Sequence, residues 1–279
     1  MKIKTAALFY NAAKEQSQRI RKNLAARLKS AGIVYYELDS ASQSAAIKKG
    51  TDIIFCIGGD GTLLKAARMA AGHGVRLIGV NGGSLGFLSA AEAGGDFRAL
   101  LNSLKKGDFT QSPRLMLDVR IMRGNKKVFT AKALNECVIK AEGARAVSLN
   151  LFYNSSALKT YFGDGIIICT PTGSTAYNLA ADGPVVYPAI EAFILTAICP
   201  HTLTQRPLVL PADRVLKAAL TPRKNGPQAA LNIDGQIHFP VAQGDEIIIS
   251  KSTRRARIIY PKDYNFFDVL TAKLKWGSR

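Results

Sequence analysis

Residues that hold metals or disulfides are scarce here: four cysteines, three histidines and one tryptophan in 279 residues. Cys56, Cys137, Cys169 and Cys199 stand in apolar surroundings without a Cys-x-x-Cys spacing, and His73, His201 and His238 are scattered. A zinc site is therefore not expected, and the thiols are expected to be buried. No apolar stretch approaches the ~20 residues a membrane helix needs. Met1 leads directly into the strand-like Ile3–Tyr10 without a cleavable signal pattern, so a cytoplasmic protein without a membrane partner is expected. Acidic residues are also few, 20 Asp and Glu against 38 Lys and Arg, a formal charge of +18. That excess attracts nucleotides, nucleic acids and acidic surfaces alike. The basic residues are spread out, densest at Arg19–Lys29 and Lys251–Arg257, with no zinc-finger spacing or RNP1-like aromatic pattern. Nucleic acid is therefore not the expected partner.

What is present is organised around residues 51–71. The apolar run Ile53–Ile57 stops at Gly58, Gly59, Asp60, Gly61 and Thr62, and Leu63–Ala71 is then a run of strong helix formers. The spacing predicts a strand, a glycine corner and a helix. The first turn of a helix leaves backbone N–H groups directed outward, and glycines let a bulky anion approach them, which suits a phosphate. Asp60 puts a carboxylate there, fit to take a proton from an attacking hydroxyl or to help hold Mg²⁺. The competing reading of these residues is a plain Asp-Gly turn. The loop matches neither Walker A nor Gly-x-Gly-x-x-Gly.

Length and an apolar content of 47% accommodate two modest domains. Strand 3–10, amphipathic helix 12–31, strand 33–38, the central strand and its helix alternate as in a mostly parallel sheet, where ligands collect beyond the strands' carboxyl ends. Val75–Val80 is a further strand, followed by a second glycine-rich corner, Asn81–Leu88, and a helix over Asp96–Lys106. From Arg114 the period changes to two, with strands expected over 115–122 and, as one run, Val128–Ile139. Short strands follow at Val147–Tyr153, Ile166–Cys169, Leu208–Leu210, Val215–Leu220, Ala229–Ile233, Glu246–Ile249 and Ala256–Tyr260, which suggests a sandwich-like all-β domain. The expected division is an α/β domain over 1–112 and a β-rich domain over 113–261. The tail 262–279, with Phe267, Leu270 and Leu274 at helical spacing, is expected to pack back on the first.

Three later groups carry chemistry. Asp164-Gly165 and the loop Thr170–Tyr177 bracket an apolar strand, and the loop's hydroxyls and amides suit ribose, phosphate or an amide-bearing ring, with Tyr177 as a stacking face. A structural Ser/Thr-rich turn is the alternative. Asn135 and Glu136 interrupt an apolar strand, where they face either a ligand or water. Asp234-Gly235-Gln236 reads alone as a turn.

Taken together, Gly58–Thr62, Leu85–Leu88, Asn135-Glu136, Asp164-Gly165, Thr170–Tyr177, Pro200–Leu203, Arg206–Pro211, Asp234–Gln236 and Lys262–Phe267 resemble the NAD kinase family in order and spelling. The first motif is also shared with diacylglycerol and sphingosine kinases. The resemblance implies an N-terminal α/β domain, a C-terminal all-β domain, and a nucleotide site between them. It also implies ATP-dependent phosphorylation of the 2′-hydroxyl of the NAD adenosine ribose, with Mg²⁺ or another divalent metal, in a homodimer or homotetramer. By the same resemblance Asp60 is the base, with Gly58, Gly59, Gly61, Thr62 and Lys65 around it. Asn135, Glu136, Arg145, Asp164, Thr175, Ala176, Tyr177, Asn178, Ala180 and Gln236 line the nucleotide site. Ala180 and Phe162 depart from the family pattern, which has Ser and a basic residue there in many bacterial relatives.

Overall fold

The computed structural model describes residues 3–42, 46–82, 86–92, 97–202, 204–221 and 228–277. The chain divides into two compact units, Met1–Pro113 with Ala256–Arg279, and Arg114–Arg255.

The first unit runs β1 (Thr5–Tyr10), α1 (Glu15–Ser30), β2 (Val34–Asp39), β3 (Ile53–Ile57), α2 (Asp60–Ala70), β4 (Arg76–Asn81), β5 (Ser89–Glu92), α3 (Phe97–Lys106) and β6 (Phe109–Arg114). β1 pairs in parallel with β2 and β3, and β4 with β3 and β5. Ala6, Leu8, Ile53, Phe55, Ile57, Ile78 and Val80 share a core with Ile20, Leu24 and Leu28 of α1 and Phe97, Leu101 and Leu104 of α3. Alternation leaves Ala7, Phe9, Ile54 and Cys56 for the other face of the sheet. The buried stripe Leu63, Leu64, Ala66, Ala67 and Ala70 of α2 brings that helix against β1, β3 and β4. Buried on both faces, β3 reads as a continuous apolar run, as central parallel strands do.

The second unit contains β7 (Leu117–Arg123), β8 (Lys126–Ala133), β9 (Glu136–Glu142), β10 (Val147–Tyr153), β11 (Ser156–Cys169), the short α4 (Tyr177–Ala180), β12 (Ala192–Pro200), β13 (Leu208–Pro211), β14 (Leu216–Leu220), β15 (Gln228–Ile233), β16 (Ile237–Val241) and β17 (Asp245–Lys251). Among the described residues these form one antiparallel sheet in the order β16-β15-β9-β11-β10-β14-β17-β7-β8, with β12 beside β11 and β13 beside β12. The domain is all-β as expected, and β8 approaches β15 closely enough to make the sheet a near-barrel. Its core includes Val119, Ile121, Ile139, Leu149, Tyr161, Ile168, Phe193, Leu231 and Ile247.

Three elements differ from expectation. Val128–Ile139 is two strands, broken at Leu134-Asn135. The strand expected at Ala256–Tyr260 forms as β18 (Ala256–Pro261), but it pairs in parallel with β4 of the first unit's sheet. Ile258, Ile259 and Tyr260 are all buried, the two-faced burial of an inner parallel strand. The tail helix, α5 (Phe266–Leu274), is capped by the Asn265 carboxamide oxygen, which accepts from Phe267 N–H at 3.1 Å. It buries Leu270, as expected, together with Val269, but leaves the expected Phe267 and Leu274 exposed. Cys199 is likewise exposed, whereas the other three thiols are buried.

One ion pair in the second unit carries a stability prediction. The fully buried Asp245 carboxylate receives a fork from Arg123, Nε at 2.8 Å and a terminal nitrogen at 3.0 Å, and accepts Ala242 N–H at 2.9 Å. Burial raises the Asp245 pKa, but the Arg123 fork and the Ala242 amide outweigh it and hold the group below its usual value. Arg123→Met is expected to destabilise the fold, though by less than breaking a wholly buried pair would, because Arg123 is half exposed and solvent screens it. Since the carboxyl's folded pKa is lowered, this stability is present above its unfolded pKa and is lost as pH falls through the folded one. Urea denaturation of both proteins at pH 7 and pH 3 checks it: the gap should be clear at pH 7 and narrow in acid.

Candidate active site

The apolar run of β3 ends at Ile57, and α2 begins at Asp60, two glycines later. The corner is a strand-to-helix turn and not a hairpin. Gly59 caps the helix without a side chain, so nothing of its own covers the N-terminus. Asp60 is half-buried, and its carboxylate is fixed by the second glycine corner. Phe87 N–H donates to Oδ2 at 3.0 Å and Leu88 N–H to Oδ1 at 3.2 Å. Gly86 makes this approach possible, since a Cβ there would lie 2.2 Å from Asp60 Oδ1. Residues 83–85 of that corner lie outside the described residues. Lys65, one helical turn on, donates its ammonium to the Ser40 carbonyl oxygen at 2.6 Å.

In the second unit the Asn135-Glu136 pair sits at the break between β8 and β9, clamped from two sides. The buried Asp234 carboxylate accepts from the N–H groups of Leu134 at 3.1 Å, Asn135 at 2.8 Å and Glu136 at 3.2 Å. Asp234 and Gly235 both have positive φ, 49° and 63°, in the tight β15–β16 turn that aims this carboxylate. On the other side Thr170 donates its hydroxyl to the Leu134 carbonyl at 2.6 Å and its N–H to the Asn135 carbonyl at 2.8 Å. Gly173 lies directly against this backbone, where a Cβ would fall 2.3 Å from the Asn135 carbonyl oxygen.

The backbone is satisfied and the side chains are not. Asn135 Oδ1 and Glu136 Oε2 are buried without a hydrogen-bond partner. Groups left so are costly unless a ligand completes them. Burial first, and the Asp234 charge second, push the Glu136 carboxyl up to about 8. A cavity of about 490 Å³ opens there, lined by Glu136, Val138, Lys140, Tyr177, Asn232 and His238 among others.

The remaining expected site residues fall into groups. Thr175 and Ala176 are half-buried on the Thr170–Tyr177 loop, and Tyr177 is exposed at its end. Asn178 is wholly buried, with its amide engaged by the Ser174 and Pro184 carbonyls at 3.0 and 3.1 Å and by the Thr196 hydroxyl at 2.6 Å. Asp164 is exposed within β11, and Gly165 beside it pairs with Lys140 and Ile198, so Asp164-Gly165 is strand and not turn. Ala180 is exposed at the end of α4, Gln236 beside the Asp234 turn, and Arg145 on the β9–β10 loop. Of the expected nucleotide-site residues Glu136 and Tyr177 line this cavity, whereas Asn135, Arg145, Asp164, Thr175, Ala176, Asn178, Ala180 and Gln236 do not. Sequence reasoning passed over two contributors: Asp234 as the backbone clamp, whose signal was a carboxylate before Gly in a hairpin turn, and the Phe87 and Leu88 amides, which carry no side-chain signal.

The ATP-NAD kinase N-terminal domain model matches residues 8–109, and the ATP-NAD kinase C-terminal domain model matches residues 134–260. An NAD kinase from Geotalea daltonii is 40% identical over 234 residues, covering 84% of this chain and 81% of the relative. The chain belongs to the NAD kinase family. An NAD kinase from Geobacter metallireducens is 41% identical over 241 residues, covering 86% and 84%. Among solved structures, an Archaeoglobus fulgidus NAD kinase in complex with ATP has a TM-score of 0.76 at 25% identity, over 97% of this chain and 98% of that one. Yeast NADH kinase complexed with NADH has a TM-score of 0.87, over 100% and 89%; at 19% identity it speaks for the fold alone. The two matched NAD kinase segments contain both groups of site residues, Asp60 in the first and Asn135-Glu136 with Asp234 in the second.

Proposed function

We propose that this NAD kinase moves the γ-phosphoryl group of ATP to the 2′-hydroxyl of the adenosine ribose of NAD, with Asp60 as the general base. The observation that carries the reading is the Asp60 carboxylate at the start of α2, tied by the Phe87 and Leu88 amides. Each oxygen accepts one such bond and keeps a lone pair, so the group is oriented yet able to take a proton. As the 2′-oxygen bonds to the γ-phosphorus, its proton passes to Asp60, the bond to the β-phosphate oxygen breaks, and ADP leaves. Charge neutralisation and positioning supply most of the acceleration.

Gly58, Gly59, Gly61 and Thr62 are assigned to the phosphates, and Lys65 joins them on releasing the Ser40 carbonyl. Asn135, Glu136, Asp164, Thr175, Ala176, Tyr177, Ala180 and Gln236 are assigned to NAD, with Arg145 at the margin and Asn178 acting from beneath by holding the Ser174 and Pro184 backbone. Mg²⁺ or another divalent metal is assigned to accompany the triphosphate, where it would neutralise part of the phosphate charge. Among the described residues no three His, Cys, Asp or Glu side chains gather as a metal cage.

The compartment assigned is the cytoplasm; no helix among the described residues is long and apolar enough to cross a membrane. A homodimer or homotetramer is assigned too, supported by Tyr187, Ile190, Leu208 and Val209, which the single chain leaves exposed around the edge strand β13. A one-subunit mass in light scattering would rule that out.

The assay of the whole reading is incubation with NAD, ATP and Mg²⁺, followed by an NADP-specific dehydrogenase. Dehydrogenase-detectable NADP that depends on both substrates is expected. NAD left unchanged while ATP is spent on another acceptor, or NADP bound tightly with no ATP consumed, would contradict it.

A further inference from the structure

Two carboxylates are buried at the second-unit site, and their circumstances are opposite. Asp234 gives its oxygens to three successive N–H groups. Glu136, only 5% exposed, has Oε2 without a hydrogen-bond partner. Among the described residues no cation offsets its charge. On its own strand, Lys140 lines the same cavity four residues along the same face, yet it does not offset the Glu136 charge. Glu142, further along, is bound by His238 Nε2 at 3.1 Å, while His238 Nδ1 meets Asn232 Oδ1 at 3.2 Å. On β11, Cys169 stands opposite Glu136, while Cys137, the next residue of Glu136's own strand, turns to the opposite face; burial pushes both thiols far up, so both are neutral. The cavity's remaining titratable group is the Tyr177 phenol.

We propose that Glu136 meets NAD as a carboxylic acid, donating its proton in a hydrogen bond to an uncharged oxygen or ring nitrogen of the dinucleotide, and that Asp234 is the positioning residue that keeps it in that form. The inference rests on the assignment of this cavity to NAD. Asp234 acts twice: its three amide bonds fix the backbone that carries Glu136, and its fixed negative charge opposes ionisation of the neighbour. Burial acts in the same direction, and together they push the carboxyl up to about 8. An un-ionised acid also spares the anionic pyrophosphate of NAD a like charge in a poorly solvated cavity. Its O–H supplies a donor where Asn135 Oδ1, also buried and unpartnered, supplies an acceptor.

The test is calorimetric titration of the full chain with NAD, without ATP, from about pH 6.5 to about pH 9.5. NAD has no titrating group of its own in that interval. The dissociation constant should be flat in the lower half and rise about tenfold per pH unit once Glu136 ionises. Glu136→Gln, a permanent neutral donor, should bind within about threefold of the parent at pH 7 and stay flat to the top of the range, whereas Glu136→Ala should lose about tenfold or more at pH 7. Asp234→Asn should move the onset of the rise to lower pH; a purely structural role would weaken binding at every pH without moving the onset. A parent profile that is flat, or that tightens as pH rises, overturns the proposal. So does Glu136→Gln binding as poorly as Glu136→Ala. Should the parent convert NAD to NADP while showing either result, this inference alone has failed. Absence of both NADP formation and NAD binding removes the underlying assignment as well.

Discussion

Asp60→Asn is expected to lower the turnover number about a thousandfold, near 4 kcal/mol of barrier, while leaving the NAD dissociation constant within about threefold. The substitution keeps size and polarity but removes the proton acceptor. It also sets an NH₂ group against one of the two amides that now donate to the carboxylate, Phe87 N–H at 3.0 Å or Leu88 N–H at 3.2 Å, so the residue loses part of its hold on residues 86–88. Both effects fall on turnover. The groups assigned to NAD belong to the second unit, and Asn135 and Glu136 among them are anchored by Asp234 and Thr170, which this change does not touch. Steady-state kinetics with a separate calorimetric titration distinguishes the two quantities. Turnover within threefold of the parent would remove the role of base from Asp60.

Gly173→Ala should do the reverse and more. Its Cβ would meet the Asn135 carbonyl oxygen at 2.3 Å, its carbonyl carbon at 2.6 Å and its Cα at 2.8 Å, all backbone atoms that cannot rotate aside. The Thr170–Thr175 loop must lift from Asn135, which strains or breaks the Thr170 N–H bond of 2.8 Å to the Asn135 carbonyl. Overpacking of this kind costs about 1–3 kcal/mol and the lost bond about 1 more. The melting temperature should therefore fall by roughly 5–10 °C, and NAD affinity by about tenfold or more. Thermal unfolding and NAD titration of the variant measure both. An unchanged melting temperature with intact NAD binding would show that the loop has slack this packing denies.

The contrast shows where sequence patterns are sufficient. The β3–α2 corner was legible because each cue is local: an apolar strand buried on both faces, glycines, then helix formers. The Asn135-Glu136 site was only half legible. Period-two reasoning ran Val128–Ile139 together as one strand, because the break at Leu134-Asn135 is made by a carboxylate about a hundred residues away. Nothing near Asn135 announces Asp234. β12 escaped notice for another reason: Ala192–Leu195 is buried without alternation, so the pattern that marks a half-exposed strand is missing. Ala256–Tyr260 read correctly as a strand, but its partner, β4, is set by packing of Ile258, Ile259 and Tyr260 and not by neighbours in the chain. Helical spacing placed Lys65 one turn beyond the loop, yet it is the folded chain that brings its ammonium onto the Ser40 carbonyl.

Family membership makes NAD the substrate to examine, and the chemistry then rests on one contact. A structure determined with NAD bound, and a non-hydrolysable ATP analogue present, would give the distance from the Asp60 carboxylate to the 2′-oxygen of the adenosine ribose. A value of about 2.6–3.2 Å, or the same reach through one water, is predicted for a base that takes this proton. A carboxylate well beyond that reach, with the 2′-hydroxyl bonded instead to another proton acceptor, would contradict it.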